Sequence, residues 1–190
     1  MLHNHISERR TIGADLRALR KVRGVTLADL AQQLGRSVGW LSQVERDLSQ
    51  LSAADLSTVA TALGVPLSLL MVDARAPEGE AGYIVRRTAR RPIGKDKPGL
   101  TEELLSPDLT DDFEMIHSTF APGARAPDMM TRPTQEVGYI VAGRLDLTIG
   151  GREFTVTTGD SFRIRGEAFE WRNPYDLPAT AIWVIAPPVY

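Results

Sequence analysis

Hydrophobic residues recur every three to four positions in the first third of the chain. Ile12, Leu16, Leu19 and Val22 follow this spacing with basic residues between them, which predicts an amphipathic helix. Gly24 follows directly, and glycine is a typical residue for ending a helix. The chain therefore opens with a helix that has one apolar face to bury.

Four more helices are predicted between residues 26 and 71. Thr26 is a suitable N-cap for the second helix, which ends at Gly35, and Ser37 caps a third that runs to about Arg46. A fourth helix begins at Ser52, and Pro66 suits the first turn of a fifth. The predicted inward-facing residues are Leu27, Leu30, Ala31 and Leu34 in the second helix, Leu41 and Val44 in the third, and Leu56, Val59, Ala60 and Leu63 in the fourth.

The period shortens to two in the second half of the chain, which is typical of half-buried strands. Leu145, Leu147 and Ile149 alternate with polar residues, and the pair Gly150-Gly151 forms a two-residue hairpin turn before the next strand at 153–156. Further candidate strands are 83–85, 114–116, 138–141 and 181–185. Many short strands separated by Gly and Pro turns favour a sandwich or barrel.

The two patterns predict an α+β chain with two domains. A five-helix domain spans 7–72, an all-β domain spans 83–190, and the polar stretch DARAPEGEAG at 73–82 serves as the linker. A chain of 190 residues, of which 43% are hydrophobic, is long enough for two cores.

Composition narrows the possible classes of function. The absence of cysteine excludes disulfides and thiolate metal sites. No apolar run approaches the length of a membrane span, and the first residues lack the apolar core of a signal peptide. We therefore expect a soluble cytoplasmic protein without membrane partners.

Net charge gives only a weak indication of nucleic-acid binding. Residues 1–72 carry eight basic and six acidic side chains, a net charge of +2, and residues 73–190 carry 14 and 18, a net charge of −4. Attraction to a polyanion must therefore come from local placement of basic groups. The candidates are Arg9, Arg10, Arg17, Arg20, Lys21, Arg23, Arg36 and Arg46.

The second and third predicted helices, joined by a tight turn at Gly35, have the order of a helix-turn-helix, in which the second helix enters the major groove. The run LRALRKVRGVTLADLAQQLGRSVGWLSQVER, followed by LSTVATALGV, resembles the XRE and phage-repressor family of DNA-binding domains. The resemblance implies base contacts from Val38, Gly39, Ser42 and Gln43, and phosphate contacts from Gln33, Arg36, Trp40 and Arg46.

Three residues of this run carry specific expectations. Gln43 is the best candidate base reader, because a carboxamide matches adenine N6 and N7. Asp47 stands where the family usually has glycine, and aspartate tolerates the left-handed backbone region better than most residues. Glu45 is expected to form an ion pair within the domain. The alternative to DNA binding is a helical bundle for protein contact.

Two stretches in the second half resemble the cupin family of jelly-roll barrels. PGARAPDMMTRPTQEVGYIVAG matches the first cupin motif, and GDSFRIRGEAFEWRNP matches the second with one residue missing. The metal-histidine positions fall at Met129, Thr131 and at Phe169 or Glu170, so only Glu136 remains of the ligand set that the resemblance implies. These side chains are poor ligands for iron or zinc. We predict no metal and no cofactor.

Loss of the metal favours a sensor over an enzyme. An inward Glu136 is expected to meet an amine or hydroxyl of a small effector, or to pair with Arg132, Arg163 or Arg165, while Gly138 leaves space beside it. Both His117 and Glu136 are candidate general bases for a metal-independent isomerase. The predicted effector pocket comprises Glu136, Met129, Thr131, His117, Phe162, Phe169 and Trp171.

Together these patterns predict a homodimeric transcriptional regulator that binds a near-palindromic operator in double-stranded DNA and lies on the nucleoid when bound. Its two recognition helices would meet half-sites about 34 Å apart, and an unidentified small molecule would bind its barrel. Two alternatives remain open. One is an enzyme with a DNA-binding appendage, and the other is an antitoxin-like or architectural protein whose barrel only dimerises.

Overall fold

The computed structural model describes residues 11–70, 80, 82–107, 109 and 111–189. The chain divides into a helical unit and a β unit, with the main boundary between Arg91 and Pro92. Arg9, Arg10 and the linker positions 73–79 and 81 lie outside the described residues.

Among residues 11–70, the helical unit has four α-helices of seven residues or more and a fifth of four residues. They are α1 Ile12–Val22, α2 Leu27–Gln33, α3 Val38–Val44, α4 Ala53–Leu63 and α5 Leu67–Leu70. The predicted caps Thr26 and Ser37 are confirmed, since each accepts a hydrogen bond from the backbone N–H three residues on, and Ser52 caps α4 in the same way. Among the described helices, none has the length and apolar character needed to cross a membrane.

The core of the helical unit comes from one face of each helix. Leu16 and Leu19 of α1, Leu30 of α2 and Leu41 of α3 have no exposed surface. Each such side chain stabilises the fold by roughly 1.5–3 kcal/mol relative to an exposed one. The apolar spacing predicted the buried centre of this face, but Ile12 and Val22, at the two ends of α1, are exposed.

The described residues of the β unit form nine strands. They are β1 Arg91–Lys97, β2 Leu100–Leu104, β3 Glu114–Phe120, β4 Gln135–Ala142, β5 Arg144–Ile149, β6 Arg152–Thr157, β7 Ser161–Arg165, β8 Phe169–Arg172 and β9 Ala179–Ala186. They form a six-stranded sheet in the order β1-β2-β3-β9-β4-β7 and a three-stranded sheet in the order β6-β5-β8. The described strands thus make two sheets, as in a sandwich, and no closed barrel is found among them, whereas the cupin resemblance implied a jelly-roll barrel.

The hairpin at Gly150-Gly151 is confirmed, since Ile149 pairs with Arg152 across it. The predicted strand at 83–85 is wrong. Tyr83 and Ile84 both donate their backbone N–H groups to the carbonyl of Glu80, at 3.0 Å each, and form a turn. Tyr83 is exposed.

The core of the β unit lies between the two sheets. Ile140, Ala181 and Ile185 of the larger sheet belong to the same buried cluster as Leu147 and Phe169 of the smaller one. Gly138 does not leave free space here as predicted, because a Cβ atom at this position would lie 2.0 Å from the ring of Phe162. The ring of Phe162 occupies the space that a side chain at position 138 would take.

Candidate functional site

The outward face of α3 carries the residues predicted to read DNA. Val38 is 46% exposed, Gly39 and Gln43 are exposed, and Ser42 is half-buried. On the opposite face, Leu41 and Val44 are buried in the helical core. The four candidate readers are therefore brought together on one side of a helix that is held by its other side.

The turn before α3 fixes the direction in which this helix starts. Gly35 has a φ of +62°, a conformation that disfavours side chains with a Cβ. The Arg36 N–H then donates to the carbonyl of Ala31 at 2.9 Å, and the Ser37 hydroxyl accepts from the Trp40 N–H at 3.1 Å. The first turn of α3 is thus capped, and its exposed residues follow directly after a hydrogen-bonded turn.

The end of α3 is tied to the start of α1. Asp47 has a φ of +58°, which confirms the left-handed conformation expected where the family has glycine. Its carboxylate accepts hydrogen bonds from the Thr11 hydroxyl and from the Gly13 N–H, the latter at 3.1 Å. A Cβ on Gly13 would lie 2.2 Å from the carbonyl oxygen of Val44. Sequence reasoning missed this link, although the Asp in place of Gly was its signal.

A buried ion pair joins α1 to the residue that follows α3. Nε and Nη2 of Arg20 donate to the Glu45 carboxylate at 2.5 and 2.9 Å. The Arg20 side chain is 12% exposed and that of Glu45 is 6% exposed. The hydrogen bonds that Arg20 donates to the Glu45 carboxylate raise the pKa of Arg20. The predicted role of Glu45 is confirmed. The proposal that Arg20 attracts DNA is wrong, because its guanidinium is already paired and covered.

The candidate phosphate contacts flank the reading face. Arg36 lies 5.0 Å from the ring centre of Trp40, and its Nη2 pairs with Asp55 Oδ1 at 2.8 Å. Hydrogen bonds from Ser52 and then from Arg36 lower the pKa of Asp55. Arg46 donates from Nε to the Ser42 carbonyl at 3.1 Å. The fourth candidate, Gln33, is exposed at the end of α2.

A row of side chains crosses the interior face of the larger sheet and includes two carboxylates. Glu114 of β3 and Glu136 of β4 both pair with Ile185 of β9, so all three side chains lie on one face. Glu114 and Glu136 are each 1% exposed. Sequence reasoning missed Glu114, although it shares the alternation of Ile116 and Phe120, both buried.

The other residues of the predicted effector pocket do not all converge. Phe169 and Trp171 are buried in the core and Phe162 packs against it, but Met129 is 52% exposed and Thr131 is exposed. His117 points to the opposite face of β3 from Glu114, with its Nδ1 3.9 Å from Glu103 Oε2.

The donor set does not fit a metal ion. Glu136 is a single carboxylate with the guanidinium of Arg132 beside it, Nη1 3.8 Å from Oε1, whereas zinc or iron needs about three or four ligands. Within the described part of the chain, no three His, Asp or Glu side chains are grouped to hold a metal.

Two family models match the two units. Residues 11–70 match a helix-turn-helix domain, and residues 116–185 match a cupin domain. The chain joins an XRE-type helix-turn-helix domain to a cupin domain.

The curated relatives of this helix-turn-helix and cupin chain are transcriptional regulators. The transcriptional regulator ClgR of Mycobacterium tuberculosis is 32% identical over 100 residues, which are 52% of this chain and 89% of that protein. The HTH-type transcriptional regulator PuuR of Escherichia coli is 23% identical over 155 residues, 80% of this chain and 81% of PuuR.

A solved structure supports the fold of the cupin domain. KdgF from Halomonas sp. aligns with a TM-score of 0.50 and 16% identity over 57% of this chain and 96% of KdgF. At this identity the likeness concerns the fold alone.

Proposed function

We propose that this protein is a homodimeric, sequence-specific DNA-binding transcriptional regulator whose cupin domain binds a small effector. The observation that carries the proposal is the outward face of α3, where Val38, Gly39 and Gln43 are exposed while Leu41 and Val44 hold the helix. Such a face is free to enter a major groove. The matches to regulators over most of the chain support the same assignment.

Gln43 is the residue proposed to read a base. Its Oε1 accepts a weak hydrogen bond from the Ser49 hydroxyl at 3.2 Å. This contact orients the side-chain amide of Gln43. A bidentate amide contact to adenine discriminates against other bases by about 1–3 kcal/mol. Gln43 is thereby expected to set preference at one base pair of each half-site.

Selection of binding sites from a random DNA duplex library tests this function directly. The full chain should enrich a near-palindromic sequence, and Gln43→Ala should bind that sequence about tenfold more weakly and lose preference at one position per half-site. Ser57→Ala, an exposed hydroxyl on α4, is the matched control. Failure of the wild-type chain to enrich any sequence would overturn the proposal.

Dimerisation is proposed to run through the cupin domains. Four apolar side chains are exposed on the outward face of neighbouring strands β4 and β9: Val137, Tyr139, Val141 and Val184. A second copy covering this face would place two recognition helices on one operator. Light scattering should give a dimer for the wild type and a monomer for Val137→Glu combined with Val184→Glu.

The two candidate general bases of the enzyme alternative are kept apart by the larger sheet. His117 and Glu136 lie on opposite faces of the larger sheet. His117 and Tyr139 both pair with Ile182 of β9, so their side chains share the outer face. Glu136, three residues before Tyr139 on β4, faces inward. They therefore do not share one reaction site. An effector in the cupin domain changes DNA affinity only if it binds two arrangements of the protein unequally.

A further inference from the structure

The interior row of the cupin domain contains a carboxylate oxygen without a partner. Glu136 Oε1 accepts from the Thr134 hydroxyl at 2.8 Å, but Oε2 has no hydrogen-bond partner among the described residues. The side chain is 1% exposed. A buried acceptor left in this state is costly, and the cost is larger for a charged group.

The interior row holds more acidic than basic side chains. Glu114 lies two strands away from Glu136, with Ile185 of β9 between them, and Glu102 of β2 acts electrostatically on Glu114. The positive group beside both Glu114 and Glu136 is Arg132, with its Nη1 3.8 Å from Glu136 Oε1, beyond hydrogen-bond distance. Three carboxylates against one guanidinium favour an additional cation.

Arg132 is held away from the unpartnered oxygen by its other contacts. Its guanidinium carbon lies 5.8 Å from the ring centre of Phe169, and its Nη2 lies 3.5 Å from the sulfur of Met130. With 29% of its side chain exposed, Arg132 marks the side from which solvent reaches this end of the core. The arginine therefore borders the site rather than filling it.

The remaining neighbours are apolar. Ile185 and Ile164 flank Glu136 in the row, one on each adjacent strand, and both are buried. A ligand here needs hydrogen-bond donors and positive charge at one end, and tolerates methylene groups at the other. An alkylammonium group has this combination.

We infer that Glu136, supported by Glu114, binds the protonated amine of a small aliphatic effector, with Arg132 at the entrance. The inference rests on the proposed regulatory function and specifies the chemical class of its effector. The ammonium group donates to Glu136 Oε2 and replaces the missing partner. A neutral alcohol supplies one donor without charge, and a carboxylate is repelled.

Titration calorimetry on the full chain at constant ionic strength tests the inference with n-butylamine, 1-butanol and sodium butyrate as matched probes. Butylamine should bind, and the alcohol and the acid should bind at least tenfold more weakly. Glu136→Gln should weaken butylamine binding at least tenfold, and Glu114→Gln should weaken it about threefold. Glu170→Gln, which removes an outward carboxylate of β8, is the control and should leave it unchanged.

A second measurement uses only the wild-type protein, so its result does not depend on whether the variants fold. Burial raises the pKa of Glu114 to about 7, so wild-type affinity for butylamine should rise between pH 6 and 8 as this carboxyl ionises, while 1-butanol binding stays flat. Equal binding of the alcohol, unchanged binding in Glu136→Gln, or no binding of linear amines of two to six carbons would each overturn the inference. Operator selection by the ligand-free protein is a separate result, so its failure is distinguishable from failure of amine binding.

Discussion

Gly39→Ala separates the stability of the helical unit from its affinity for DNA. Gly39 is the second residue of α3, and a Cβ at this position has open space, with no atom of the described chain within 4 Å. Alanine in a helix is more favourable than glycine by roughly 0.5–1 kcal/mol. The added methyl group therefore stabilises the protein, and any loss it causes must come from contact with something outside the chain.

The expected magnitudes have opposite signs. A gain of up to about 1 kcal/mol corresponds to a rise in Tm of roughly 4–8 °C for a domain of this size. If Gly39 lies against base edges, the methyl group occupies space that the DNA needs. We expect operator affinity to fall at least tenfold, equivalent to about 1.4 kcal/mol.

Fluorescence anisotropy with a selected operator measures the affinity, and circular dichroism measures Tm. Gly64→Ala is the control, because Gly64 ends α4 with a φ of +65° and its Cβ position is also open. This control should lower Tm, since a left-handed backbone strains alanine, and leave operator affinity unchanged. A Gly39→Ala variant that is more stable and binds the operator as tightly as wild type would refute the placement of α3 in the groove.

Three further predictions test the packing and the charges. Glu45→Ala leaves the covered guanidinium of Arg20 without its carboxylate and should destabilise the helical unit by about 3 kcal/mol in chemical denaturation. Arg36→Met removes the exposed ion pair with Asp55 and should change stability little. Equal effects of the two variants would contradict the burial argument. Stability of the cupin domain should fall as pH rises from about 4.5 to 7, because Glu114 has its pKa raised to about 7 in the folded state and ionises near 4.5 when unfolded. The fall is about 3 kcal/mol by linkage, and a wild-type pH profile no steeper than that of Glu114→Gln would disprove it. Gly138→Ala should destabilise the cupin domain by roughly 1–3 kcal/mol through overlap with the Phe162 ring, and Phe162→Leu should recover part of the loss in the double variant; additive losses would show that the two sites do not touch.

The helical unit was predictable because its signals are local. Apolar spacing placed α1 and α2, and the hydroxyl groups of Thr26 and Ser37 placed the helix starts. The ion pair of Glu45 followed from the family pattern, but its partner did not, since Arg20 lies 25 positions away in sequence.

The β unit was less predictable because its pairing is non-local. β1 reads RPIGKDK, with proline, glycine and charged residues in place of alternation, and it becomes a strand through its partner. Gly138 illustrates the same limit, because free space at a glycine depends on which ring lies opposite. Glu114 had a readable signal in the alternation of β3, but a charged residue at an inward position is easily assigned to the surface.

The position of β9 in the larger sheet has a consequence for how the cupin domain forms during synthesis. β9 lies between β3 and β4, yet it follows every other described strand in sequence. Until residues 179–186 leave the ribosome, β3 and β4 each present an open edge with unpaired backbone groups, and such edges promote association between nascent chains. The same late insertion completes the interior row, since Ile185 joins Glu114 to Glu136. The amine site therefore cannot be complete before β9 is inserted between β3 and β4.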